Sequence, residues 1–528
     1  MATNNSPLKY RLLEHSLQTL GEQFYSSTVP TLVKKPEFIR VNKTLASELG
    51  LDAKTLESNE TLQLLAGNDE DLPVTTIASV YAGHQFGHWN PQLGDGRAIY
   101  LGELKNHRNQ LLDVQLKGSG TTRFSRMGDG RSPVGPVLRE YLLSETMFAL
   151  GIPTTRALAA VTTGERVVRD QLEPGAILTR VAASHVRVGT FQYFSARGDL
   201  ESIQHLADYV IDRHYAQDVA QHGLKNPYAA LFDCAVKRQA LLIAHWMSVG
   251  FIHGVMNTDN MLVSGDTIDF GPCAFLDEFN SKKVFSSIDR GGRYAYCNQP
   301  TVAKWNLSWL GQALLPLMGE EQEALATAQQ SLDNFDVEYN QHYDRIFAEK
   351  LGFNNASSAS QSLTQEFLDI LERHRLDFTN SFRNLGNILG ETLLEGQLPQ
   401  AKDQSEKSEH TETPKIIIER EFLWDKIPDE LQSWITRWLA ELTSAQAFAN
   451  KDQVLKNVEQ IRSVNPAIIP RNHWVNRAIE HAKENNDFSL FHTLADVLEK
   501  PFEYREAVKP FTQPPTESEV VLRTFCGT

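Results

Sequence analysis

Basic residues, cysteines and long apolar runs are what this sequence has little of. Lys and Arg number 51 against 66 Asp and Glu, a formal net charge of −15. A chain with that balance lacks the basic face of a general nucleic-acid or membrane-surface binder, although local basic pockets are compatible with it. No run approaches the ~20 consecutive apolar residues of a membrane helix. The opening Met-Ala-Thr-Asn-Asn-Ser-Pro has no charged segment leading into an apolar core, as a secretory leader would. Four cysteines (Cys234, Cys273, Cys297 and Cys526) stand scattered without metal-ligand spacing, which suits a reducing compartment. The expectation is a cytoplasmic protein with neither nucleic acid nor membrane as partner.

What is present is an ordinary globular composition, 41% hydrophobic and 22% charged, over 528 residues. That length exceeds one compact core and predicts two lobes or more. No internal repeat is visible. The stretch 397–413 is polar and almost free of large apolar groups, so it cannot bury enough surface to offset ordering entropy and reads as a linker or insertion. Ahead of it, Ala98–Glu103 and Leu111–Lys117 read as strands joined by a polar turn. A helix is predicted from Pro136 to about Leu150, with Gly151 and Pro153 as its stop signals. Strand-like runs follow at 157–162 and 176–183, and then a long helix at about 229–249. After about Tyr294 the chain reads as helical. Leu431, Trp434, Ile435, Trp438, Leu439 and Leu442 share the i, i+3, i+4, i+7 spacing of one helix face, and core packing is the favoured reading over partner docking.

The helix at 229–249 runs into His253-Gly-Val-Met-Asn-Thr-Asp259-Asn260, and Asp269-Phe-Gly follows. In the kinase pattern H-R-D-x-x-x-x-N, the Asp two after the His accepts the substrate's hydroxyl proton and the Asn seven after it holds Mg²⁺. Here Asn260 is in register, yet the position of the Asp holds Val255. Asn260 and Asp269 are hard-oxygen ligands suited to Mg²⁺. Asp259 is the one unassigned carboxylate in the loop and the candidate general base, with a loop-ordering Asp as the plainer alternative. His253 is read as ordering the loop.

Three further motifs precede this one. Gly87–Arg97, with Gly94, Gly96 and Arg97, ends just before a strand, where glycines let backbone amides approach phosphate oxygens. Lys117 ends the second strand, as does the lysine that grips ATP phosphates in kinases. Glu140 on the following helix is the candidate carboxylate to steady it, with Glu145 as runner-up. Between them, Gly118–Arg131 packs four glycines and three arginines into one loop, including Asp129 and Gly130, and could wrap a polyanion. Arg180 and Arg187 flank the end of the last strand of this lobe. His84 and His88 have i, i+4 spacing but no third ligand, so packing is favoured over a metal pair.

Taken together, Tyr81-Ala-Gly-His-Gln-Phe-Gly-His, Leu93-Gly-Asp-Gly-Arg, Gln115-Leu-Lys-Gly-Ser-Gly-Thr-Thr-Arg-Phe-Ser-Arg, Asp129-Gly-Arg-Ser, His253-Gly-Val-Met-Asn-Thr-Asp-Asn and Ile268-Asp-Phe-Gly-Pro closely resemble the selenoprotein O family of kinase-like protein adenylyltransferases. The resemblance spans roughly residues 80 to 310. It implies an α+β, protein-kinase-like two-lobed fold with a helical C-terminal extension. The corresponding divisions are 1–183 (N-lobe with its extension), 184–396 (C-lobe with the catalytic and metal loops), 397–413 (linker) and 414–528 (helical region). It implies transfer of AMP from ATP, bound in an orientation flipped relative to kinases, to Ser, Thr or Tyr hydroxyls of protein partners, with pyrophosphate released. Some bacterial relatives are assigned UMP transfer with Mn²⁺, so nucleotide choice stays open. By match of motif, Gly94, Gly96, Arg97, Lys117, Asp129, Gly130, Arg180, Arg187 and Asp269 would hold the nucleotide. Asn260 and Asp269 would hold Mg²⁺ or Mn²⁺, and Asp259 would accept the proton. Cys526-Gly-Thr matches the family's selenocysteine position, and Cys297 is a candidate partner for a regulatory disulfide. Two other readings stand beside this one: a true phosphotransferase, and a catalytically silent ATP-binding scaffold.

Overall fold

The computed structural model describes residues 7–395, 419, 422, 424, 427–446, 448, 450–522 and 524. The expected linker at 397–413 and Cys526 lie outside these described residues. The strands of the first half are β1 (Tyr25–Ser27), β2 (Glu37–Val41), β3 (Ile77–Ser79), β4 (Gly83–Gln85) and β5 (His88–Asn90), followed by β6 (Ala98–Lys105), β7 (Leu111–Lys117), β8 (Ser132–Pro133), β9 (Arg156–Val168) and β10 (Leu172–Ala182). One antiparallel sheet runs in the order β1-β3-β6-β7-β10-β9-β2, with β8 pairing onto β10, while β4 and β5 form a separate hairpin. The four expected strands are all present, and β9 and β10 are longer than the apolar runs that announced them.

Strand alternation sorts the sheet into two chemistries. On one face Val114, Leu116, Ile177 and Val181 pack with Leu45, Leu49, Leu64 and Leu65 from short helices of the N-terminal extension. The register sets Lys117 opposite Leu178 and Gln115 opposite Arg180, so Lys117, Gln115 and Arg180 share the other face. That face carries the site.

The helix Val134–Ala149 packs on this polar-bearing face and places Glu140 there. It begins two residues before the expected Pro136, because Pro133 already supplies an N-cap backbone at φ −70. Pro136 then falls in the first turn, where no N–H is required. Gly151 terminates it at φ +79, its N–H bonding Phe148 O at 2.9 Å while Ile152 N–H reaches Met147 O at 2.9 Å. The long helix, Pro227–Ser248, starts at Asn226, whose side chain accepts from Tyr228 and Ala229 N–H at 2.9 and 3.0 Å. It packs along Glu321–Lys350. The remainder is helical, as expected, and Leu431, Trp434, Ile435, Trp438, Leu439 and Leu442 are all buried on the helix Asp429–Ala445. Among the described residues no helix is long and apolar enough to cross a membrane. The chain is therefore a mixed α/β protein, sheet first, with a helical C-terminal part.

Candidate active site

Asp269 is the electrostatic centre. It takes the left-handed backbone conformation, φ +60, which is uncommon for a residue with a Cβ and marks local strain. Its Oδ1 accepts from Lys117 Nζ and Arg180 Nη1, each at 2.7 Å, and its Oδ2 accepts from Arg187 Nη1 at 2.7 Å. Burial alone would raise this carboxyl, but Lys117, Arg187 and Arg180 overcome it and hold Asp269 well below the usual carboxylate range. Glu140 completes the cluster, accepting from Lys117 Nζ at 2.6 Å and from Arg180 Nη1 at 3.0 Å. The expected Lys117–Glu140 pair is thus formed. The runner-up, Glu145, instead binds Arg156 at 2.8 Å and Asn42 at 2.6 Å. Arg180 is further fixed by Gln115, whose Oε1 accepts from Nη2 at 2.7 Å.

Across the cleft lies the loop of the His253 motif. It leaves β11 (Phe251–Ile252), which pairs with β12 (Ala274–Phe275) just beyond the Asp-Phe-Gly. His253 is fully buried, its ring stacked on Trp246 at 5.3 Å and its Nε2 bonded to Ile268 O at 2.8 Å. It ties the two loops together, which is the ordering role the sequence suggested. Asn260 Nδ2 donates to Val255 O at 2.9 Å, leaving the amide oxygen as its free ligand atom. Asp259 is buried, and burial pushes its carboxyl up to about 6 against the opposing pull of a Gln85 hydrogen bond and the Arg187 charge. Gln85 Nε2 donates to Asp259 Oδ2 at 3.0 Å. Arg187 Nη1 also donates to the Asp259 backbone carbonyl, so one guanidinium joins both loops.

The glycine-rich segments meet above this floor. The loop following β7 closes on itself, Ser119 bridging Arg131 and Gly120 N–H bonding Gly130 O at 3.1 Å. Gly130 sits at φ +66, where a Cβ would come within 2.0 Å of Gly120 O, so only glycine fits. Thr122 Oγ1 donates to Asp95 O at 2.7 Å, and Ser125 Oγ donates to Gly96 O, locking this loop against the Gly94–Arg97 turn. Asp129 is held by Arg169, whose Nη1 and Nη2 lie 2.9 and 3.1 Å from its carboxylate oxygens.

Gly94, Gly96, Arg97, Lys117, Asp129, Gly130, Arg180, Arg187, Asp259, Asn260 and Asp269 all line one cleft of about 550 Å³, with Val255 in its wall. Gly87 does not join them; it turns the β4–β5 hairpin at φ +83. His84 and His88 form no metal pair: His84 is buried, stacked on Trp309 at 4.0 Å and bonded to Gln192 at 2.9 Å, while His88 is exposed. Among the cleft residues that sequence reasoning did not single out are Tyr81, Gln85, Asn257 and Arg169. Asn257 had a signal, being a polar residue inside the loop motif. Arg169 had none, since it reaches Asp129 from the far turn of the β9–β10 hairpin. Asn260 and Asp269 together offer an amide oxygen and a carboxylate in one cleft, a donor set that fits a hard divalent cation.

The chain is similar to known proteins over most of its length. The sequence matches the family model described as protein adenylyltransferase SelO over residues 8–499. It is 47% identical over 516 residues to a protein named protein nucleotidyltransferase YdiU from Rhizobium johnstonii, covering 98% of this chain and 97% of that one. Proteins of the same name from Bradyrhizobium diazoefficiens and Rhodopseudomonas palustris are each 46% identical over 516 residues, covering 98% of this chain and 99% of theirs.

Proposed function

The chain belongs to the protein adenylyltransferase SelO family, and on that premise we propose that it transfers AMP from ATP to Ser, Thr or Tyr hydroxyls of proteins, on a two-lobed, protein-kinase-like scaffold. The observation that carries this reading is the pairing of two unlike carboxylates across one cleft. Asp269 is clamped by Lys117, Arg180 and Arg187, whereas Asp259, which faces no lysine or arginine ion pair among the described residues, is buried beside the metal-type Asn260 while Val255 occupies the phosphotransfer-base position. Two carboxylates pushed apart in acidity by their surroundings mark a division of roles.

Lys117, Arg180 and Arg187 supply charge-assisted donors for the terminal phosphates, and Gly94, Gly96, Arg97, Asp129 and Gly130 frame the rest of the nucleotide. Mg²⁺ or Mn²⁺ held by Asn260 and Asp269 would neutralise charge on the phosphates. Asp259 takes the acceptor's proton as its hydroxyl oxygen forms a bond to the α-phosphorus. The α–β bridging P–O bond breaks, and its electron pair leaves on pyrophosphate. Preorganised cations facing the leaving group stabilise that charge as it develops. The divisions 1–183, 184–396, 397–413 and 414–528 are proposed as lobes, linker and extension. A cytoplasmic location is proposed from the reduced-compartment cysteine usage.

The test is label transfer. With soluble protein as acceptor and Mg²⁺ or Mn²⁺ present, label from the α-phosphate of ATP should enter protein and γ label should not. UTP run in parallel reports nucleotide choice. Asp269→Asn should reduce α-label transfer by at least ~10²-fold. Entry of γ label alone would establish a phosphotransferase instead, and absence of both labels a silent scaffold.

A further inference from the structure

The β4–β5 hairpin plays no part in the nucleotide reading, yet it is the element that grips the catalytic loop. His84 N–H donates to Thr258 Oγ1 at 2.7 Å, and Phe86 N–H donates to Asn257 Oδ1 at 3.0 Å. Between them, Gln85 Nε2 donates to Asp259 Oδ2 at 3.0 Å. Three consecutive hairpin residues thus hold three consecutive loop residues. The grip is braced on both sides. Tyr294 hydroxyl donates to the same Asn257 oxygen at 2.7 Å, and His84 is pinned by Gln192 and Trp309.

The Gln85 bond is the only side-chain hydrogen bond to the Asp259 carboxylate among the described residues. Asp259 Oδ1 is buried with no partner, packed against Gly83, where a Cβ would come within 2.7 Å of it. Asp259 is buried in the cleft wall, so little solvent orients its carboxylate, and the one side-chain donor bears on which way its plane faces. We propose that Gln85 is a positioning residue for Asp259: from the wall of the same cleft, its amide fixes the orientation of the carboxylate that accepts the hydroxyl proton. This rests on the reading of Asp259 as that acceptor.

A double-mutant cycle tests it: wild type, Gln85→Leu, Asp259→Asn and the double variant, assayed with α-labelled ATP and a total soluble protein extract as acceptor. Gln85→Leu is expected to lower the saturated transfer rate ~10- to 100-fold and to leave the half-saturating ATP concentration within about twofold. In the Asp259→Asn background the same change is expected to cost nothing further, because a residue acting through Asp259 has nothing left to position. Gln85→Met, unbranched and of equal length, repeats the measurement with minimal packing change. Independent multiplication of the two losses, or a loss of ATP affinity matching the loss of rate, overturns the positioning role and leaves a packing role. Wild-type transfer by Asp259→Asn overturns the reading of Asp259 itself, and the inference with it, so the two failures have different signatures.

Discussion

Lys350 ends the helix Glu321–Lys350 and is only 2% exposed. Its ammonium lies 4.4 Å from the centre of the Phe382 ring and makes no ion pair with the described residues. Burial alone pushes it down to about 7. The folded state therefore binds fewer protons than the unfolded chain between pH 7 and the ordinary lysine range. Stability should rise with pH across that window, while below pH 7 the full cost of burying a charge is present. A shift of this size corresponds to roughly 3–5 kcal/mol. Lys350→Met should raise the melting temperature clearly at pH 6, and this advantage should shrink as pH approaches 10. A gain independent of pH would mean that the ammonium is not the source of the cost. No sequence pattern announces such a residue, since a lysine in a helix's last turn reads as a solvated partner of the helix dipole. By contrast Lys117, Asn260 and Asp269 were legible from their places in motifs whose chemistry demands those residue types, and Glu140 as the favoured of two carboxylates on the following helix. Gln85 was not. Its partner Asp259 lies 174 positions away, and only the fold brings them together.

Strands β6 and β7 were legible because one opens on an apolar run and the other is mostly apolar, interrupted only by Asp113 and Gln115, with a polar turn between them. The helix Val134–Ala149 was legible because proline and glycine bracket an apolar stripe. The β4–β5 hairpin was not. Gly-His-Gln and His-Trp-Asn carry no apolar alternation, and Gly87 between them reads as the start of a phosphate loop. What fixes this hairpin is its packing onto the catalytic loop, and glycines make that packing possible. A Cβ on Gly83 would come within 2.7 Å of Asp259 Oδ1 and 3.0 Å of Asp259 Cβ. Gly83→Ala should therefore displace the Asp259 side chain and lower α-label transfer at least ~10-fold, with the ATP-induced rise in melting temperature retained. Gly223→Ala, where a Cβ meets nothing within 4 Å, is the control and should transfer at the wild-type rate. Equal rates for the two variants would show that the loop tolerates the displacement.

The C-terminal helices are joined to the catalytic half through buried polar groups. Arg139, on the helix that carries Glu140, donates to Asn472 Oδ1 at 2.9 Å and to Cys273 O at 3.3 Å. Arg383 and Glu419 form a buried pair with two contacts of 2.6 Å. Arg471 is the strongest tie. It is 1% exposed, and its Nη1 reaches Asp277 at 2.5 Å and Asp377 at 2.7 Å. Its remaining donors engage Asn380 Oδ1 at 3.0 Å and Thr512 O at 2.8 and 3.1 Å. This docking was not legible, because Arg, Asn and Asp in sequence read as surface, whereas the stripe from Leu431 to Leu442 read as core and is buried. Asp277 stands two residues beyond β12, whose pairing with β11 anchors both the His253 loop and the Asp269 loop. The guanidinium thus braces the segment that follows the metal-type carboxylate. Deleting the arginine leaves two partly buried carboxylates without their counter-charge, which costs up to about 3–5 kcal/mol, and an apolar group cannot replace the lost donors. Arg471→Leu should lower the melting temperature and should raise proteolytic sensitivity around 277–290 before the rest of the chain. Its transfer rate at a temperature where it remains folded should fall less than that of Asp269→Asn. A variant with wild-type stability would show that Asp277 and Asp377 find other partners, and that the C-terminal part docks on its apolar contacts alone.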